Sequence, residues 1–571
     1  ALGQVADLDA AIEAFRKALA VAREGSPDWA SMQANLGVAL STRFEALGQV
    51  ADLDAAIEAF RQALAVAREG SPDWARWQAN LGVALRTRFE ALGQVADLDA
   101  AIEAFRQAQA VAREGSPDWA SMQANLGVAL RTRFEALGQV ADLDAAIAAY
   151  EKALAVARPG SPDWAKWQAN LGVALHARFE ALGQGADLDA AIEAFRQALA
   201  VARPGSPDWA RWLANLGNAL RTRFEALEQV ADLDTAIHAY GKALAVARPG
   251  SPDWAKWQAN LGGALIRRFE ALGQEADLDA AIQACEKALA VFTPEVFPDH
   301  ALTAALPLIR LLMRRQGEND MERVAAAGAR AVPAWHYLYF ESLHESRKQR
   351  HLRRAQRLWA NYAFALARLG RAEEAVAVLE TGRARQLAEA FRGRQALETL
   401  QSPALARAWR AVKEAESRYH HAPEAERPAA EVDLARRRQA YYALLREHFP
   451  DYFAEPTLAD VQAAARPAPL VYLLATPAGG LALVVTDAGV QAVDLPELTE
   501  TALNGWLVQT DAAGQNVVGG YLPAQLAVSA WMPKALGDIL PALGKALQPL
   551  VAALTPPPGP LPSPAVRERG G

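Results

Sequence analysis

The sequence predicts a mainly α-helical chain: an α-solenoid of 45-residue helix pairs, followed by a helical hairpin and a small, incomplete α/β domain. Each period holds two segments with apolar residues at helical spacing. Strand-like alternation appears only after residue 469. A fixed period of this size is typical of stacked arrays. The string ALGQVADLDA, or a close variant, begins every 45 residues, at Ala1, Ala46, Ala91, Ala136, Ala181, Ala226 and Ala271.

Length and composition narrow the class of protein. A chain of 571 residues is too long for one hydrophobic core. The formal charge of -7 gives no general reason to expect nucleic acid. A single cysteine excludes an intrachain disulfide and fits a reducing, cytoplasmic location, although a secreted protein can also lack disulfides. No signal peptide or membrane-length apolar run is visible. Because the sequence opens at Ala1 partway into a repeat, we expect a fragment or a processed product.

Each pair is predicted from one apolar stripe per helix. In the first helix Ser71 is the expected N-cap, Pro72 fits the first turn and Asp73 lies at the positive end of the helix dipole. Gly70 is expected to end the preceding helix, and Gly93 this one. The apolar stripe of the first helix comprises Trp74, Leu81, Leu85 and Phe89. The stripe of the second helix comprises Leu53, Ala56, Ile57, Phe60, Ala63, Leu64 and Ala67.

These helix pairs resemble tetratricopeptide (TPR) repeats. The resemblance rests on Leu81-Gly82 with Leu85 in the first helix, and on Ala101, Phe105 and Ala108 in the second. It covers about half the chain, with longer loops than the usual TPR period. It implies a right-handed superhelix whose first helices line a concave face. The motif glycine recurs at Gly37, Gly82, Gly127, Gly172, Gly217 and Gly262.

The copies differ mainly at offsets that the TPR resemblance places in the groove. One residue after the glycine, valine gives way to Asn218. Basic residues recur six before, four after and five after the glycine. We predict a partner-binding set of Arg76, Lys166, Arg211, Lys256, Arg86, Arg131, His176, Arg221 and Arg267. Neutral drift on an exposed helix face is the alternative interpretation.

An asparagine lies two residues before each motif glycine, although asparagine is a mediocre helix former. Its amide can donate and accept together, as an extended peptide backbone requires. The pattern partly resembles the TPR carboxylate clamp but has alanine where the clamp has lysine. The set is Asn35, Asn80, Asn125, Asn170, Asn215 and Asn260. Hydrogen bonds between neighbouring repeats are the alternative. With the basic positions, the row predicts an acidic, extended protein or peptide partner.

The remainder of the chain does not follow the 45-residue period and divides into several segments. Pro294, Pro298 and Pro307 are expected to interrupt the helical period. A last helix pair is predicted around Tyr362–Leu379, and a basic run from Arg347 to Arg357 is expected to be a solvated helix face. We predict the solenoid at 1–292, divergent repeats and a cap at 293–400, a charged helical hairpin at 401–455, an α/β segment at 456–554 and a disordered proline-rich tail at 555–571.

The α/β segment is predicted from short apolar runs. Leu470–Leu474 and Leu481–Val485 are expected strands around a turn at residues 477–480, and Gly489–Val493 is a third. Helices are expected near 498–508 and 533–554.

Three segments together resemble the start of a CHAT domain, a caspase-like module fused behind TPR arrays in bacteria. They are residues 380–385, residues 470–495 and Gly519-Gly520-Tyr521-Leu522. The resemblance implies cysteine peptidase chemistry with a histidine base on later strands. The last histidine is His448, ahead of the strands, and Cys285 is expected to pack in a repeat helix. Truncation or a frameshift is our expectation for the tail.

Two functions of different class follow as hypotheses. The first is a protein-binding scaffold coupled to a truncated CHAT-type effector, with no catalytic dyad in this chain. The second is a fragment of a working cysteine peptidase whose dyad lies further on. Nucleic-acid binding along the basic groove is a weaker third. No Walker loop, dinucleotide fingerprint or zinc spacing occurs, so no cofactor or metal is expected.

Overall fold

The computed structural model describes residues 2–341, 355, 357–391, 402–422, 426–448, 457–466, 468–502, 509–510, 516–517 and 545–550. Two compact units divide the chain. The first comprises residues 1–301 and 394–450, and the second comprises residues 302–393 and 451–571. The predicted basic run up to residue 354 and the predicted tail lie outside the described residues.

The first unit contains the predicted solenoid, which begins with helix α1 at Leu2–Val21. Six pairs of helices follow, each with a first helix of 21 residues and a second of 17. The first helices are α2 Pro27–Leu47, α4 Pro72–Leu92, α6 Pro117–Leu137, α8 Pro162–Leu182, α10 Pro207–Leu227 and α12 Pro252–Leu272. The second helices are α3 Val50–Val66, α5 Val95–Val111, α7 Val140–Val156, α9 Gly185–Val201, α11 Val230–Val246 and α13 Glu275–Val291. The predicted solenoid is therefore confirmed.

Local capping explains where the first helices begin and end. The Ser71 hydroxyl accepts from the Trp74 N–H at 3.2 Å, and Pro72 occupies the first turn. Gly93 adopts the left-handed conformation and donates its N–H to the Phe89 carbonyl at 2.7 Å. The prediction for Gly70 is wrong. Helix α3 ends at Val66 with an extended residue, and Gly70 lies in the turn that follows.

The equivalent of Gly93 in the fifth pair is Glu228, which keeps the left-handed conformation with φ 56°. A residue with a Cβ is strained there by roughly 1–2 kcal/mol. The fold therefore imposes this helix end even where the sequence does not favour it.

The motif glycines let the two helices of a pair approach closely. A Cβ on Gly82 would lie 2.9 Å from the Phe105 ring, so a larger residue would clash. In the sixth pair the ring is replaced by Cys285, whose Sγ would be 2.9 Å from a Cβ on Gly262. Cys285 is 2% exposed, which confirms its predicted packing role.

An arginine–aspartate ladder joins consecutive pairs. Arg88 on α4 donates to both carboxylate oxygens of Asp97 on α5, at 2.8 and 2.5 Å. It also donates to Asp54 on α3 of the preceding pair, at 2.8 Å. The ladder arginines are Arg43, Arg88, Arg133, Arg178, Arg223 and Arg268. The aspartates at both positions are thus part of the seam between repeats.

The predicted hairpin belongs to the first unit. It consists of α18 Pro403–His421 and α19 Arg427–His448. Arg438 on α19 is 1% exposed, and its guanidinium donates to the carbonyl oxygens of Glu295 and Val296, just after the array. The buried Arg438 guanidinium therefore joins the hairpin to the segment that directly follows the array, by hydrogen bonds to backbone carbonyls.

The remaining helices are α14 Pro298–Arg315, α15 Asp320–Glu341, α16 Leu358–Arg368, α17 Ala372–Phe391 and α20 Leu458–Ala464. The expected interruption at Pro307 is wrong, because Pro307 lies inside α14. Its neighbours Leu308 and Ile309 are buried, and that burial offsets the lost hydrogen bond. The expected last pair corresponds to α16 and α17, with Gly370 in the left-handed conformation between them.

The strands of the second unit form an antiparallel meander in the order β1-β2-β3. They span β1 Leu470–Thr476, β2 Gly479–Thr486 and β3 Gly489–Asp494, and two short strands follow at β4 Gln509–Thr510 and β5 Asn516–Val517. The register pairs Tyr472 with Leu483 and Leu483 with Ala492. The three strands confirm the prediction, except that Gly479 and Gly480 lie in β2 and the turn is residues 477–478 alone. The helices expected near 498–508 and 533–554 lie largely outside the described residues.

Candidate functional site: the inner face of the array

The first helices form the more crowded side of the array. Neighbouring first helices, such as α2 with α4 and α8 with α10, approach each other more closely than neighbouring second helices do. In a curved stack of repeats the inner side is the more crowded one. The first helices therefore line the inner face, as the TPR resemblance implies.

The helical period shows which side chains share that face. At about 100° per residue, the offsets −6, −2, +1 and +5 from the motif glycine fall within roughly 60° of one another. They point away from the glycine, which packs against the second helix. The asparagines and the residues six before the glycine are therefore on one stripe. The residues four after the glycine lie nearer the contact with the second helix.

The asparagine row is accessible. Asn35 is exposed, and the other five members are partly exposed. Among the described residues none of these six amides forms a hydrogen bond to another protein group. The predicted alternative, amide bonds between neighbouring repeats, is therefore absent from the described part of the chain. Binding of a peptide by the row stays a prediction.

The basic residues six before the glycine are exposed, as predicted for a binding surface. Arg76 lies 2.7 Å from Asp73, and Arg211 pairs with Asp208 in the same way. These pairs are 60–66% exposed, so solvent screens them and they stabilise little. Lys166 and Lys256 form no ion pair within the described ranges.

The residues four after the glycine are more enclosed than predicted. The side chains of Arg86, Arg131 and Arg221 are only 21–30% exposed. Each pairs with a glutamate one turn later: Glu90, Glu135 or Glu225. A local carboxylate therefore offsets each of these charges, and their contribution to a positive groove is smaller than the sequence indicates.

At this offset His176 is also enclosed, with its side chain 18% exposed. His176 Nε2 lies 3.0 Å from Thr222 Oγ1 of the next pair. Burial, helped by Arg221 and opposed by Glu180, lowers the pKa of His176. His176 is therefore mainly a neutral contact between first helices. Arg267, five after the glycine, contacts Glu225 at 3.2 Å and Glu270 at 2.9 Å.

One variable groove position has a packing explanation that the sequence analysis missed. Tyr240 replaces the usual phenylalanine, and its hydroxyl donates to Asn218 at 2.6 Å. In the third pair Tyr150 also replaces phenylalanine, but Val128 occupies the corresponding position, and the Tyr150 hydroxyl has no hydrogen-bond partner. Burial raises the pKa of Tyr150 to about 12. In the fifth pair residues 218 and 240 both differ from the usual valine and phenylalanine. This joint change could have indicated their contact from the sequence.

Within the described ranges, no group of three His, Cys, Asp or Glu side chains is placed to hold a metal ion. None of the described helices combines the length and apolarity needed to cross a bilayer.

The geometry defines a TPR-like α-solenoid with an accessible inner face. No protein-family model and no curated protein matches the chain. Solved structures similar to parts of it include a kinesin light chain of Podosopora anserina with nearly identical TPR-like repeats, at 21% identity, covering 39% of this chain and 96% of that chain with a TM-score of 0.29. BtubC from P. vanneervenii is similar at 20% identity, over 43% of this chain and 89% of that chain, with a TM-score of 0.31. PilF of Pseudomonas aeruginosa is similar at 19% identity, over 49% and 97%, with a TM-score of 0.31. At these scores the likeness carries no functional argument.

Proposed function

We propose that the first unit is a protein-interaction scaffold whose inner face binds an extended, acidic segment of a partner protein. The observation that carries this proposal is the asparagine row: six accessible amides on one stripe, without hydrogen-bond partners in the described part of the chain. Polar groups that a fold does not use are available to a ligand.

The spacing of the row suits an extended chain. Packed helices are about 8–10 Å apart, and an extended peptide advances about 3.3 Å per residue. Consecutive asparagines would therefore lie about two to three residues apart along the ligand. Each amide could donate to the carbonyl and accept from the N–H of one ligand residue, because these two groups point to the same side of an extended chain.

The charges on the same stripe favour an acidic ligand. Arg76, Lys166, Arg211 and Lys256 are exposed beside the asparagines. The enclosed arginines with glutamate partners contribute less. We therefore expect the charge preference to come mainly from the exposed positions.

Peptide binding to the full chain distinguishes the two kinds of contact. Asn125→Ala and Asn170→Ala should each weaken binding by about 0.5–1.5 kcal/mol for most peptide sequences and with little salt dependence. Lys166→Ala or Arg211→Ala should weaken only acidic peptides, by about 1 kcal/mol, and less so at high salt. The measurement is the affinity for a peptide set of graded charge.

Glu103→Ala is the matched control, because Glu103 is exposed on a second helix, where its carboxylate accepts from Gln107. It should leave affinity unchanged. Loss of binding only together with loss of helicity would show that the asparagines are structural and would contradict the proposal. Steep salt dependence for duplex nucleic acid, without peptide binding, would favour the nucleic-acid alternative.

We also propose that the strand-containing unit is the beginning of a CHAT-type effector domain to which the scaffold is coupled. The three-stranded meander and the resemblance of residues 380–385 and 470–495 support this assignment. The competing hypothesis is a fragment of a working cysteine peptidase.

The chain itself should not cleave peptides, because its only cysteine is 2% exposed inside a helix pair, where no substrate carbonyl can reach it. A fluorogenic peptide set is expected to show no turnover. Turnover abolished by Cys285→Ala, with folding retained, would contradict this expectation.

A further inference from the structure

The six first helices end in the same five residues, Arg-Phe-Glu-Ala-Leu, from Arg43–Leu47 to Arg268–Leu272. Because the sequence is constant, differences in burial report on what each end contacts. The burial of the six helix ends can therefore be compared directly, because their sequences are identical.

The ends of the first two first helices are covered by α18, which packs against α2 and α4. Phe44 is 0% exposed, and its ring centroid lies 4.7 Å from that of His421. A Cβ on Gly48 would lie 2.7 Å from the Cα of Arg418. Leu47 lines a cavity of about 470 Å³ together with α18 residues that include Ala415.

The corresponding leucines of the other four helices are open. Leu137, Leu182, Leu227 and Leu272 are 44%, 47%, 56% and 46% exposed. We call these four residues the leucine row. They hold the position that Leu47 and Leu92, which are both partly buried, occupy in the two helices against which α18 packs. Such a run of exposed apolar side chains marks an interaction surface rather than scattered surface apolarity.

We propose that the leucine row is a second docking surface, which takes an amphipathic α-helix of a partner protein with the same chemistry as α18. The argument is continuity: the same five residues already bind such a helix at the first two positions. α18 meets the first of these ends through His421, whose ring contacts Phe44, and through Arg418, whose backbone lies against Gly48.

The length of the leucine row narrows the class of partner further. Four neighbouring helix ends at about 8–10 Å span roughly 30 Å, which is the length of about 20 helical residues. α18 has 19 residues. An amphipathic helix of about 20 residues is therefore the expected partner.

A labelled synthetic peptide of residues 402–422, the α18 segment, serves as the probe. We expect saturable binding to the full chain by fluorescence anisotropy. Leu182→Gln with Leu227→Gln should weaken it by about tenfold or more, since both central apolar contacts are lost. Val246→Gln, at a 37% exposed valine that ends a second helix, is the matched control and should have no effect.

Several results would overturn the proposal. These are no binding of the peptide, an equal loss in the Val246 control, or unchanged binding by a peptide with Arg418→Glu and His421→Glu. Concentration-dependent dimerisation that the leucine substitutions abolish would instead assign the row to a second copy of the chain. Leu137→Gln with Leu272→Gln provides a second double variant, and helicity and melting show that each variant is folded. Failure here leaves the inner-face proposal intact, because the two surfaces share no residue.

Discussion

Phe105→Ala is expected to destabilise the array by about 3–5 kcal/mol, the cost of deleting a buried aromatic ring and leaving a cavity. Phe105 is 0% exposed, and its ring packs directly on Gly82, which has no side chain to fill the space. Because each pair contacts mainly its neighbours, the loss should be concentrated near α4 and α5. Denaturant unfolding measures the total, and amide hydrogen exchange shows where it falls.

Phe105→Tyr provides the control, because two other pairs carry tyrosine at this position. Alone, it should cost about 1–3 kcal/mol, since its hydroxyl would be buried beside Val83 without a partner, as at Tyr150. Adding Val83→Asn should recover most of that loss by reproducing the bond between Tyr240 and Asn218. An Ala variant that costs less than about 1 kcal/mol would show that the ring does not carry this contact.

The parts of the fold that sequence predicts well are those decided by nearby residues. The Ser71 cap, the Gly93 helix end and the apolar stripes depend on contacts within one or two turns. The predicted strands are also correct, because their runs are short, apolar and bounded by turn residues. Gly70 was misassigned because glycine suits both a helix end and a turn, and the sequence does not distinguish them. Pro307 was misassigned because tertiary burial outweighs its local cost.

Contacts between distant residues could not be predicted. Arg88 meets Asp54 across 34 residues, and Arg438 meets Glu295 across 143. No local sequence pattern distinguishes Arg438 as a buried residue, because charged residues occur along the whole hairpin. The candidate site is predicted as a set of offsets from the motif glycine. The helical period puts the residues six before, two before, one after and five after it on one stripe, and their role in binding stays a prediction. The enclosure of Arg86 and its pairing with Glu90 depend on how neighbouring first helices pack.

The second large effect is expected in the arginine–aspartate ladder, on the free energy of unfolding. Its control is the other aspartate that Arg88 contacts. Asp97→Ala should destabilise the array by about 3–5 kcal/mol, because it leaves the Arg88 guanidinium enclosed without its two-bond partner. Asp54→Ala should cost only about 0–1 kcal/mol. The Asp97 side chain is 8% exposed and the Asp54 side chain 59%, while that of Arg88 is 18%.

The pKa of Arg88 supports the expectation that losing Asp97 costs more stability than losing Asp54. It is raised above the usual arginine value chiefly by the hydrogen bonds with Asp97, against burial, and then by Asp54. The expected result is a strong dependence on Asp97 that persists in high salt and a weak dependence on Asp54 that salt removes. A double-mutant cycle with Arg88→Met isolates each coupling. Equal couplings for the two aspartates would mean that the ladder acts through surface charge alone. A coupling confined to Asp97 would identify a bond within each pair, with Asp54 adding little to the junction between neighbours.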